Sequence, residues 1–408
     1  MTHLTLLPLL LALALLSACQ SSSSSGGDDD SDDDSDTGAD SDTDTDTDTD
    51  TDTDTDTDTD TDSDTDSDSD SDTESDTETA AECFEGDYLI SNETEMGSLV
   101  PYTCINGNLT VETDTIVDLE LPNLENVNGN LQFLASPMIE SIDLTSLVQV
   151  EGDLEIDDLD GITNLLGFSS LETVSGDLLI ENSNGIVSLE GLEDLVTVGG
   201  EVRFASITIQ EADLPSLVSA GGIRWIGVDY ITAFSFPLLS EISGDVDITW
   251  CDSLANLDGL GAVETIAGDF YLDDVSDLAT VYLASLVEVG GDLFLDFEYA
   301  IEELSAPQLT DVGGDLKLVL TSIVDLDGLP NLESIDGALH VRYNNDMSSI
   351  QMDSLVSIGS NIWFDSNGLL PTCDIVDFLS GIDTVGGWIC IRDNFADSCP
   401  DQEADCPV

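Results

Sequence analysis

The residues of this 408-residue chain best suited to chemistry recur in register. Arg203, Arg224, Tyr271, Phe294, Lys317, His340 and Trp363 each stand between two apolar residues, as in Val202-Arg203-Phe204 and Leu316-Lys317-Leu318. Cys390 fills the same place in the last copy, and Arg342 and Arg392 follow two positions after theirs. This one series contains all five basic residues of the chain. Cations beside aromatic rings are the chemistry of recognition, because rings offer broad contact and guanidinium groups bond directionally. The candidate ligand-binding set is therefore Arg203, Arg224, Tyr271, Phe294, Lys317, His340, Arg342 and Trp363. A structural reading competes with it. The cations would neutralise Glu155, Asp247, Asp296 and Asp365 on adjacent strands, and the rings would pack across strands. Catalysis finds little support, since the only histidines are His3 and His340. One interior histidine cannot supply a nucleophile and base at several sites.

A second series is acidic. Asp153, Asp177, Asp245, Asp269, Asp292 and Asp315 each follow a glycine. Stacked along one corner they form a carboxylate column, and like charges that close favour a bound cation or raised pKa values. Calcium at Asp245, Asp269, Asp292 and Asp315 is one expectation; solvated turn aspartates are the other.

The element that must position both series is a repeat. A phrase close to Leu-x-x-Val-x-Gly-x-Leu-x-Ile occurs thirteen times, clearest in Leu171–Ile180, Leu286–Leu295 and Leu332–Val341, mostly at intervals of 22 to 24 residues. Regular repetition on that scale specifies a solenoid, in which each rung buries its apolar edge only by stacking on its neighbours. After the glycine the alternation has a period of two, which places Leu154, Ile156, Val246, Ile248, Leu316 and Leu318 on the inward face of a short strand. Upstream anchors such as Leu195 and Val198, or Leu309 and Val312, point inward too. Glycine suits a corner that needs positive φ or close backbone approach, and prolines 122, 215, 237, 307 and 330 suit a second corner. The expectation is an all-β, right-handed parallel solenoid of about thirteen rungs with one strand per rung and little helix.

Solenoid ends expose apolar edges and need caps. Cys83 and Cys104 precede the first full rung, while Cys373, Cys390, Cys399 and Cys406 crowd the last. In an oxidising compartment these read as disulfides: Cys83–Cys104 at one end, and preferably Cys373–Cys390 with Cys399–Cys406 at the other. Four cysteines allow three connectivities, and a zinc site is disfavoured because no histidine is near. Cys251, alone in mid-array, reads as a buried thiol.

The repeated phrase, spanning roughly residues 99–391, resembles the receptor L domain, a leucine-rich-repeat-like β-helix of growth-factor-receptor ectodomains that also occurs in fungal cell-wall proteins. The likeness implies a binding surface without naming its ligand. This array is longer than one such domain, and the asparagine ladder of ordinary leucine-rich repeats is patchy, reduced to Asn182, Asn344 and Asn367.

Before the repeats, an apolar stretch from Leu4 to Leu16 is too short to cross a bilayer but suits a signal peptide, residues 1–18. Leu16-Ser17-Ala18-Cys19 resembles the bacterial lipobox, which implies lipidation of Cys19, and Gln20 after it resembles sorting to the outer membrane. A lipid chain anchors without spanning. Residues 19–82 are almost wholly Ser, Thr and Asp. They have no apolar surface to offset ordering entropy, so they read as a disordered stalk, similar in composition to the Ser-Asp stalks of bacterial adhesins. Residues 83–392 form the solenoid and 393–408 a cysteine-containing cap.

With 88 acidic residues against five basic ones, nonspecific nucleic-acid binding is excluded by repulsion. The sequence thus points to a non-enzymatic, surface-exposed outer-membrane lipoprotein that binds a protein or glycan. A β-helical carbohydrate-active enzyme and an acidic structural coat protein are the alternatives. Oligomeric state is not written in it.

Overall fold

In the computed structural model, described for residues 82–399 and 406, the chain winds into a parallel β-solenoid of about thirteen turns of about 23 residues. The expected signal segment, the Cys19 lipid site and the stalk up to residue 81 lie outside the described residues.

Each turn is assembled from the same parts. A two-residue strand such as Thr173–Val174 leads through the glycine corner into a four-residue strand such as Leu178–Glu181. Both stack in parallel on their counterparts: Val174 opposes Val150 and Val198, while Ile180 opposes Ile156 and Phe204. Together these ladders make one 26-stranded sheet. A single strand per rung was expected; the second ladder comes from the Leu-x-x-Val segment, whose alternation is only two residues long. Outside the main sheet, strands pair locally, as Glu211–Asp213 does with Ala233–Ser235.

The inward positions form the core. Leu154, Ile156, Leu195, Val246, Ile248, Leu309, Leu316 and Leu318 are fully buried, as expected. Each such side chain contributes about 1.5–3 kcal/mol on leaving water, and it does so only because a rung lies on either side. Trp225 is fully buried in this column, against Phe204, Phe234 and Phe236 at ring distances of 4.8 to 6.2 Å.

The glycine corner requires space rather than positive φ, for the marker glycines are absent from the left-handed region. Asp177 explains why. Its Oδ1 accepts the Glu201 amide of the next rung at 2.7 Å, and a Cβ on Gly200 would overlap that oxygen. The pattern repeats from Asp153 to the Asp177 amide, Asp245 to Asp269, Asp269 to Asp292, Asp292 to Asp315, and Asp315 to Ala338. Where Ala338 interrupts the aspartates, the following rung carries Ser360 in place of glycine.

The opposite corner does use the left-handed region. Ala135, Asp158, Asn182, Ser206, Trp250, Asp274, Phe297, Leu320, Tyr343, Ser366 and Asp393 all turn with φ between 45° and 61°. The residue after each faces inward, and many of these are polar. Asn344 accepts the Thr321 amide at 2.9 Å and donates to the Leu318 carbonyl at 2.9 Å; Asn367 repeats the pattern on Asn344 and Val341. The asparagine ladder therefore occupies the last rungs. Asn182 is not in it: it is an exposed left-handed residue, and Ser183 takes the inward place.

The ends are closed as capping demands. Cys83–Cys104 ties the first strands, and helix α1 (Glu93–Leu99) covers that end, with Asn92 Oδ1 accepting the Thr94 and Glu95 amides. At the other end the last corner-to-corner interval lengthens to 27 residues, because helix α2 (Thr372–Leu379) is inserted. The preferred cysteine pairing is corrected here to Cys373–Cys399 and Cys390–Cys406. Cys390 stands on the outward side of strand Ile389–Arg392, opposite Trp363, whereas Cys373 begins α2. Asp397 binds the Cys373 amide at 2.9 Å and so brings Cys399 to the helix, leaving Cys406 to cover Cys390.

Candidate recognition face

The residues singled out by the repeat share the outward side of the four-residue ladder in unbroken register: Arg203, Arg224, Asp247, Tyr271, Phe294, Lys317, His340, Trp363 and Cys390. Arg342, Asp365 and Arg392 form a parallel column two positions further along. Cys390 is buried beneath its disulfide rather than available to a ligand.

Every cation on this face already has a carboxylate. Arg203 Nε stands 2.7 Å from Glu181 Oε1, an ion pair in which the N–H is not aligned as a hydrogen bond. Arg224 lies more loosely between Glu201 and Asp247, at 3.9 and 3.7 Å. Lys317 bridges Asp292 and Asp315 of the corner column at 2.6 and 3.0 Å, with its ammonium 5.4 Å from the Phe294 ring centre. Arg342 and Arg392 converge on one oxygen of Asp365 at 3.4 and 3.0 Å. Of the acids named as neutralising partners, Asp247 and Asp365 act so. Glu155 instead accepts from Gln132, and Asp296 from the Phe297 amide.

The rings are half-buried and pack along the column. Tyr271 meets Phe294 at 5.1 Å, and Trp363 lies between His340 at 5.8 Å and Trp388 at 5.5 Å. The Arg342 guanidinium rests 3.9 Å from the Trp363 ring centre and that of Arg392 5.7 Å away. Trp363 is thus stacked between cations that share one carboxylate. Burial works against that carboxylate, but hydrogen bonds from Arg392 and Ser366 outweigh it and hold Asp365 below the ordinary carboxyl value. Burial also lowers the His340 pKa, which favours the neutral ring.

The stacked aspartates support the backbone of the rung that follows. The Oδ1 atoms of Asp245, Asp269, Asp292 and Asp315 take backbone amides of the next rung, and the free oxygens of Asp292 and Asp315 take Lys317. Burial opposes ionisation of Asp315, yet the Ala338 amide and Lys317 prevail and lower its pKa. Among the described residues, the one group with metal-like spacing is Cys373, Asp397 and Cys399. Its two sulfurs are spent on a disulfide. Cys251 is a free thiol, fully buried, its pKa pushed up to about 12 by burial.

Three features escaped the sequence reading. Trp250 and Phe297 are 54% and 53% exposed at the left-handed corner beside the face, with Tyr343 further along the same edge. They would have been found one place beyond the strand, where the alternation ends. Glu298 is buried in the inward ladder, its two oxygens each 3.2 Å from the Val275 amide, and burial raises its pKa to about 8. Away from the main sheet, a hollow of about 660 Å³ is lined by Glu190, Glu193, Glu211 and Asp213 among others. All four of these carboxylates are exposed.

No helix among the described residues is long and apolar enough to cross a membrane. No protein-family model, no curated protein and no solved structure matches the chain.

Proposed function

We propose that this protein is a non-catalytic recognition lipoprotein, anchored to the bacterial outer membrane through Cys19. In this reading the acidic stalk holds the solenoid away from the membrane, and the outward face binds a protein or glycan partner. The observation that supports it most is an uninterrupted, ribbed sheet face on which Tyr271, Phe294 and Trp363 stand half out, the kind of surface that recognition uses. A structural role is the second reading, favoured by the full pairing of the five cations with carboxylates. The two separate in a screen of the whole protein against glycans and surface proteins. A partner whose binding is lost in Phe294→Ala, with the melting temperature held, supports recognition. Failure to find a partner, with melting lowered in that variant, would leave only the structural role.

A further inference from the structure

The pairing of cations on the face has one gap. Arg203 and Arg224 serve one stretch, and Lys317, Arg342 and Arg392 serve the other. Between them lie the rungs of Tyr271 and Phe294, whose strands end in Asp273 and Asp296, directly opposite one another. Among the described residues, no lysine, arginine or histidine nitrogen lies within ion-pair distance of either carboxylate. Both are only partly exposed. Burial raises both carboxyl pKa values, with Asp296 and Asp274 adding to the shift at Asp273. Like charges held together on adjacent strands are unfavourable unless a cation is supplied.

Two exposed rings stand along the edge of this gap, at the left-handed corner that the other rungs share. Trp250 and Phe297 are held left-handed at φ 55° and 56°, which costs about 1–2 kcal/mol for a residue with a Cβ. Both rings nevertheless project into solvent, two rungs or about 10 Å apart.

The same face shows what would fill the gap. One rung beyond Lys317, the Arg342 guanidinium stacks on Trp363 of the following rung and reaches Asp365 there. Ring, carboxylate and cation there are all supplied by the chain. At Tyr271, Phe294, Asp273 and Asp296 the chain supplies rings and carboxylates, but its one nearby cation, Lys317, reaches the Phe294 ring at 5.4 Å and is paired with Asp292 and Asp315 rather than with Asp273 or Asp296. We propose that this gap, with Trp250 and Phe297 along its edge, docks a cationic polypeptide, whose arginine or lysine side chains complete the arrangement. The proposal rests on the recognition reading above and deepens it by naming the partner's chemistry.

A chain of formal net charge −83 attracts any polycation, so the test must separate this site from bulk charge. Whole protein is titrated with an alternating Arg-Ala octapeptide, and with a Gln-Ala octapeptide for comparison, at about 0.15 M salt to screen distant charge. Trp fluorescence reports binding. The variant Asp273→Asn/Asp296→Asn removes two like charges and should melt no lower than the parent. It is expected to bind the Arg peptide on the order of tenfold more weakly, with a comparable loss in Phe297→Ala. The control Glu120→Gln/Glu140→Gln removes equal charge outside the sheet face and should leave affinity within about twofold. Equal losses in both charge variants, or none in either, would overturn the proposal. So would a neutral oligosaccharide that binds this face unaffected by the Asn pair, an outcome that leaves recognition itself standing.

Discussion

Asp177 and Gly200 fit each other across a rung boundary: the carboxylate takes the Glu201 amide in the space that a Cβ on residue 200 would need. The glycine of one rung is therefore dictated by the aspartate of the rung before it. Gly200→Ala is expected to cost about 1–3 kcal/mol by overpacking, and Asp177→Ala about 1–3 kcal/mol by orphaning the amide. Combined, they should cost less than their sum by more than about 0.5 kcal/mol. Denaturant midpoints of the four proteins close the cycle, and strict additivity would refute the coupling.

Glu298 makes stability depend on pH. The folded protein retains its proton up to about pH 8, whereas an ordinary glutamic acid ionises near 4.5. Across that window the unfolded chain binds fewer protons, so stability falls as pH rises, by at most about 1.4 kcal/mol per pH unit, and levels off above it. Glu298→Gln keeps an acceptor for the Val275 amide and should remove this slope. Parallel profiles for parent and variant between pH 5 and 8 would show that the side chain ionises freely.

Asp365 acts in the opposite sense. Its folded pKa lies below 3.8, so its contribution is present above the ordinary carboxyl range and lost as pH falls through the folded value. Asp365→Asn should cost about 1–3 kcal/mol at neutral pH by leaving two guanidinium groups half-compensated. Trp363 emission should shift as Arg342 and Arg392 lose their common anchor. Unchanged emission and stability would mean the stack holds without the carboxylate.

The C-terminal cap gives a covalent prediction. Peptide mapping without reduction should recover Cys373 joined to Cys399 and Cys390 joined to Cys406. Replacing Cys373 and Cys399 together by Ala should cost about 2–4 kcal/mol. Hydrogen exchange should then accelerate first in the rungs nearest α2. Recovery of Cys373 joined to Cys390 would show that neighbours along the chain pair instead.

Lipidation is tested directly. Cys19→Ala should abolish incorporation of labelled palmitate and release the protein from the membrane fraction. Continued labelling would place the acyl chain elsewhere.

The solenoid was legible because its cause is periodic. Leu178 and Ile180 announce an inward strand, and their copies announce the stack. The outward column was equally legible, since alternation places Arg203, Lys317 and Trp363 on one side. What escaped was set by contacts between rungs rather than within them. Nothing local marks Asp177 as the acceptor for an amide 24 residues on, or Glu298 as an inward residue among outward acids. The cysteine pairing failed for a similar reason: separation along the chain says little once α2 carries Cys373 away from the strand that holds Cys390. Trp250 and Phe297 were missed because a left-handed turn lies outside any two-residue alternation.

Near-identical coils have a hazard that ordinary domains lack: the chain could seat itself one whole step out of phase and still match almost every neighbour. The exceptions guard against that error. Ala338 with Ser360, the Trp225 cluster and the single inward acid at Glu298 each fit in one place only. A displaced strand would set Ser360 against an aspartate or leave the large indole without room. The irregularities thus act as index marks, keeping count along a molecule whose repeats cannot count for themselves.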